Sequence, residues 1–202
     1  MWSSFRGQLY ILEYCVIQYA GKYVTNFATY YRGAVNLGSA SPTISPTLIL
    51  SNSTYAISMD TGSFLTVLGN TFAENGANGL GVYGGTISTA GAWMSTNYPY
   101  VMDSDITIAP GVSLTIAPDV IVKSKSNTRL IVDSVLNARG TLENPIVFTS
   151  YKDDSYGEDT NVDGAASTPA PGDWGWIEFT DASLAALCPF SKHLKVHFSR
   201  DF

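Results

Sequence analysis

Seventeen residues from Thr43 to Met59 (TISPTLILSNSTYAISM) overlay 66–82 (TVLGNTFAENGANGLGV) at an offset of 23. In that overlay Ile44 falls on Val67, Ile49 on Phe72, Ile57 on Leu80, Met59 on Val82 and Asn52 on Asn75. An earlier copy exists with an insertion: Leu12 and Ile17 keep the five-residue step, Val35 and Leu37 keep the i, i+2 pair, and 21–32 is a loop between them. A unit this short cannot bury its apolar residues alone, so repetition at this period implies stacked coils.

The second half speaks the same language. Apolar–x–apolar triplets recur at Ile106–Ile108, Leu114–Ile116, Leu130–Val132 and Ile146–Phe148, separated by Pro-Gly, Asp, Arg-Gly and Asn-Pro punctuation. The last three are evenly spaced at an offset of 16, which reads as a shorter repeat. Period-2 alternation and β-branched residues specify strands, and no 3.6 period survives more than one turn. The expected fold is all-β: a right-handed parallel β-helix of six to eight coils with very little helix. Asn52 and Asn75 share one turn phase, where an inward amide can bond the backbone of the next coil; two coincident loop asparagines are the plainer reading. The sequon Asn52-Ser53-Thr54 is discounted because Asn52 is assigned to that ladder.

The expected organisation is coils over 1–83, a linker or cap over 84–105, a second block over 106–188 with an acidic loop at 151–173, and a tail at 189–202. Only 14% of residues are charged, and the net charge is −6. An acidic chain does not suit nucleic acid, and no apolar run is long enough to span a membrane as a helix. With 45% hydrophobic residues the chain is not a disordered one.

Residues 153–173 hold six of the 17 acids. Asp159-Thr-Asn161-Val-Asp163-Gly164 matches the start of a calcium loop, with oxygen ligands at alternate positions and a glycine for the sharp turn. Ala170 stands where the bidentate Glu belongs, so Glu158 or Asp173 has to complete a Ca²⁺ site; the alternative is a solvated acidic loop. Trp174 and Trp176 come after a Pro-Gly turn, either anchored on the coil or offered as a platform for sugars. Asp103 and Asp105 read as an exposed turn or as a carboxylate pair of the kind glycoside hydrolysis needs. Lys123 and Lys125 alternate after Val122 and are expected in solvent, and Arg129 and Arg139 read as further surface bases. His193 and His197 sit on an alternating segment, against a helical metal site. Cys15 and Cys188 form no metal spacing.

Three segments resemble a known family. The pair at 41–76 (SPTI…N…YAI and LTVLGNTFAENG), the run ITIAPGVSLTIAPDVIVKSK…NPIVFTS (106–150), and DTNVDGAASTPAPGDWGWIEF (159–179) are similar to right-handed parallel β-helix repeats of secreted and cell-surface microbial proteins, which share the pectate-lyase-like fold. LEYCVIQYAG (12–21) resembles the segment that comes after the GDWGWIEFTDAS strand in that family, which implies a fragment of a longer exported protein whose leader lies elsewhere. The resemblance implies a non-catalytic structural or adhesive module with polysaccharide or cell-surface glycan as partner. Its alternatives are a polysaccharide lyase or glycoside hydrolase of the same fold, or a solenoid that self-associates through its open coil ends.

Overall fold

The computed structural model describes residues 10–21, 23–24, 30–31 and 33–180. The tail at 189–202, His193, His197 and Cys188 lie outside them. Among the described residues there is no helix, and strands of two to six residues stack as a parallel β-solenoid. One wall runs its whole length: Val35–Leu37, Tyr55–Met59, Ala77–Val82, Tyr100–Met102, Ile121–Ser124 and Val147–Ser150, each paired in parallel with the next. We number these six layers; about five turns of chain separate the first from the last.

The 23-residue offset sets the lower registers. Ile44 pairs with Val67, Ile49 with Phe72, Ile57 with Leu80 and Met59 with Val82. The interrupted first copy pairs as its spacing demands: Leu12 with Ile44, Ile17 with Ile49, Val35 with Ile57 and Leu37 with Met59. Its insertion carries an antiparallel pair, Tyr23–Val24 with Tyr30–Tyr31. Inward positions build one core in which Ile44, Ile49, Ile57, Met59, Leu80, Met102, Ile106, Ile108, Leu114, Val122, Leu130 and Val132 are fully buried. At the first and sixth layers the matching residues Leu12, Ile17, Val35, Leu136 and Phe148 are only half-buried, because each has a neighbour on one side alone.

Three expectations are corrected. Among the described residues the strands make about five turns rather than six to eight, because the excursion at 151–176 leaves the stack and consumes chain without adding a layer. Residues 84–105 are not a linker: Gly85–Ile87, Gly91–Trp93 and Tyr100–Met102 form the fourth layer, with Trp93 and Tyr100 stacked in the core, their ring centroids 5.1 Å apart. The shorter step of the second half is a step between different walls. Leu114 pairs with Leu136, Ile106 with Leu130 and Val122 with Phe148, so the coils of the second half are about as long as those of the first.

The other two walls do not run through. One is built of Ile11–Leu12, Thr43–Ile44 and Thr66–Val67 below, and of Gly85–Ile87, Ile106–Ile108, Leu130–Val132 and Ile177–Phe179 above, with no pairing between the two sets. The third wall breaks at the same height, between Thr71–Ala73 and Gly91–Trp93. The turn after Trp93 closes the gap: the Tyr98 ring stacks on Phe72 at 3.9 Å, and its hydroxyl accepts from the Phe72 N–H at 2.8 Å. Gly91 sits where any Cβ would enter the Phe64 ring.

Candidate functional site

The outer face of the long wall carries the chemistry. One position past its strands, Asp60, Tyr83, Asp103, Lys125 and Tyr151 form a column in layers two to six, each N–H bonding the carbonyl one layer below. Lys125 Nζ lies 2.6 Å from Asp103 Oδ1 and between two rings, 5.1 Å from Tyr55 and 5.2 Å from Tyr151. Lys125 is thus not a solvent lysine; its charge is compensated by Asp103 and by two aromatic faces.

Tyr55 belongs to the second layer, yet its hydroxyl donates to Asp103 Oδ1 in the fourth at 2.7 Å. Gly81 makes that reach possible, because a Cβ there would stand 2.7 Å from the Tyr55 ring. The ring crosses the third layer where the wall has no side chain. Burial first, and the Asp103 charge second, push the Tyr55 hydroxyl well above its ordinary pKa, so it remains a neutral donor. Tyr55, Ala77 and Val101, with Tyr151 packed against them, form a small apolar cluster separate from the core.

The loop after Tyr151 lies over this face. Lys123, expected in solvent, is fully buried beneath it. Its ammonium donates to the Glu158 carbonyl at 3.0 Å and to Thr160 Oγ1 at 2.7 Å, and the Thr160 carbonyl accepts from the Asn78 N–H at 2.9 Å. Burial pulls the Lys123 pKa down, against the pull of Asp154, Asp153 and Asp159 in the other direction.

Among the predicted cation ligands, Asp159 and Asp163 come together, and a residue that the sequence reading left out joins them. One carboxylate oxygen each from Asp154, Asp159 and Asp163 lies within 4.8 Å of the others. Asp154 Oδ1, Asp163 Oδ1 and Asn161 Oδ1 are shut off from solvent and have no hydrogen-bond partner. Burial and the neighbouring Asp159 raise the Asp154 carboxyl, with Lys123 opposing. Glu158 is not in the cluster; it takes a left-handed turn (φ 56°) and lends its carbonyl to Lys123. Asp173 is not there either: it bonds Lys152 Nζ at 2.8 Å, Ser150 Oγ at 2.9 Å and the Ala170 N–H at 2.8 Å, and Lys152 leads these in holding its carboxyl down at about 2. Asp154 escaped the sequence reading because it stands five residues before the motif, and only the fold of the loop returns it.

Asp103 and Asp105 do not act as a pair. Asp105 is bound by Arg129, with Nη2 at 2.6 Å and Nε at 3.0 Å from the same oxygen, and these guanidinium bonds hold its carboxyl low. Trp176 stands 57% exposed with the Arg129 guanidinium 5.6 Å over its ring, and Trp174 is half-buried. Gly175 between them has no room for a Cβ, which would meet Arg129 Cγ at 2.7 Å and the Thr128 carbonyl at 2.8 Å.

Asn52 Nδ2 donates to Asn75 Oδ1 at 2.7 Å, and Asn75 Nδ2 to the Ile49 carbonyl at 2.8 Å. A second ladder had no sequence signal: Asn70 accepts from the Thr47 N–H at 2.8 Å and donates to the Ile44 carbonyl at 2.7 Å. Just before the first ladder, Tyr19, Ser51 and Glu74 occupy equivalent left-handed turns (φ 57°, 53° and 55°) in three successive layers.

Two cavities open here. One of about 340 Å³ lies among Ser53, Thr54, Tyr55, Ala77, Lys125 and Tyr151. The other, also about 340 Å³, lies among Tyr19, Gly21, Ser51, Ser53 and Glu74. No protein-family model, curated protein or solved structure matches the chain.

Proposed function

We propose that the chain is a non-catalytic structural or adhesive module of an exported or cell-surface protein, and that glycans are its partner. The observation that carries this reading is the state of the acids beside its bases. Asp103 is bound to Lys125, Asp105 to Arg129 and Asp173 to Lys152, at 2.6, 2.6 and 2.8 Å. Glycoside hydrolysis asks for two carboxyl groups whose environments drive their proton affinities apart across an open site. Here each of these carboxylates is neutralised by its own base. The Ser-, Thr- and Asn-rich, low-charge surface and the resemblance to secreted β-helix repeats also support the reading. The test is to incubate the protein with a panel of polysaccharides, measuring retention and released product together. Retention without new reducing ends or unsaturated sugars is expected. Product formation would move the chain to the lyase or hydrolase alternative.

A second reading attaches to the loop: we infer that it takes Ca²⁺. Three carboxylates this close repel one another, and the inaccessible, unpartnered Oδ1 atoms of Asp154, Asp163 and Asn161 suit a hard cation that takes oxygen donors. Asp154, Asp159 and Asp163 would hold it, with the Asn161 carbonyl beside them. A cation bound only by the folded chain adds stability by mass action, about 2.7 kcal/mol at a hundredfold excess over Kd. Melting in chelator against millimolar Ca²⁺ is expected to show a rise of several degrees, which Asp163→Asn diminishes. Identical melting in both conditions would overturn the inference.

A further inference from the structure

We propose that the two cavities meeting at Ser53 are one groove for a neutral, linear oligosaccharide, laid across the layers from Tyr19 to Tyr151. The inference rests on the glycan reading above but moves the site away from Trp174 and Trp176 to a groove bounded by Tyr19 and Tyr151, which the sequence did not single out. Ser53 lines both cavities, so they share a wall. Tyr19 belongs to the first layer and Tyr151 comes directly after the sixth. The two are five strand spacings apart along the axis, each spacing about 4.8 Å. That is room for several sugars in line and too long for one.

The lining suits a polyol. Tyr19 is 84% exposed. It offers an open ring to the C–H face of a sugar at one end, and Tyr151 borders the groove at the other. Between them Gly76 is exposed and adds no side chain to the groove, with the buried Ala77 beneath it. Ser53 Oγ donates to the Gly21 carbonyl, which leaves its lone pairs as acceptors. Glu74 accepts from Ser51 Oγ at 2.9 Å, and its second oxygen can accept from a sugar hydroxyl.

Charge selects the class of glycan. Among the described residues, Lys125 is the one base lining the groove and is balanced by Asp103 at 2.6 Å, while Glu74 adds a negative charge. A uronate or sulfated chain would meet no uncompensated cation among these residues and would approach a molecule of net charge −6.

Calorimetry on the full chain tests this, with glucan, mannan, xylan and galactan fragments of one to six units and a matched uronate series. At least one neutral series is expected to bind more tightly as it lengthens. Tyr19→Ala and Tyr151→Ala should each weaken it tenfold or more, and Trp176→Ala should leave it unchanged. Tyr19 is almost fully exposed, so its variant keeps the test open if Tyr151→Ala fails to fold. Preference for uronates would overturn the neutral class. Loss on Trp176→Ala with both tyrosine variants unaffected would overturn the groove while leaving glycan binding standing. No binding by any saccharide would overturn both.

Discussion

Asn70 shows how much of this structure hangs on single amides. Its side chain closes a turn by accepting from the Thr47 N–H and donating to the Ile44 carbonyl, both in the layer below. Asn70→Ala would leave the buried Thr47 N–H unpaired, at roughly 1–3 kcal/mol, while the Ile44 carbonyl would keep the Leu68 N–H. We expect a loss of about 1–3 kcal/mol in urea unfolding with an unchanged m-value; a loss below ~0.5 kcal/mol would mean that the turn finds other partners. The sequence makes Asn52 and Asn75 visible because both copies place the same residue at the same phase. Asn70 has Thr47 at its phase, whose hydroxyl reaches only the Leu12 carbonyl at 3.5 Å, so nothing repeats.

At the scale of elements, strands are legible and what covers them is not. The lower registers follow from the 23-residue offset because each inward residue must meet its like in the next layer. The upper half misleads because its walls carry near-identical triplets, so Leu114 and Leu130 look like repeats while standing on different walls. Lys123 misleads for another reason. Alternation says that it points outward, and it does, but a loop far downstream in the chain folds over it. Local pattern carries no trace of such cover. Lys123→Met removes the donor that Glu158 and Thr160 share. We expect faster amide exchange at Asn78 and through 155–164, with the amides of Leu80 and Val101 still protected. Unchanged exchange at Asn78 would show that the loop holds without its lysine.

The whole molecule behaves as a stack, in which a residue's worth depends on how many layers flank it. Ile57 is fully buried between Val35 and Leu80, whereas Leu12 is half-buried with Ile44 on one side only. Ile57→Ala should cost about 2–5 kcal/mol and Leu12→Ala less than half as much, by urea unfolding. Equal losses would mean that the first layer is as well covered as the second.

The break in two of the three walls bears on how such a rod deforms. Between the third and fourth layers the backbone ladder survives only along the long wall, Leu80 to Tyr100 through Val82 to Met102, while the other sides are joined by side chains such as Phe72 on Tyr98. Hydrogen-bonded strands resist shear along their length; packed rings slide. The molecule therefore has a seam, a height at which one half can rotate slightly against the other about a single edge. The Tyr55 ring and the 157–160 segment cross that seam on the very edge that acts as its pivot, and so brace the two halves there with side-chain and loop bonds in place of the missing ladders.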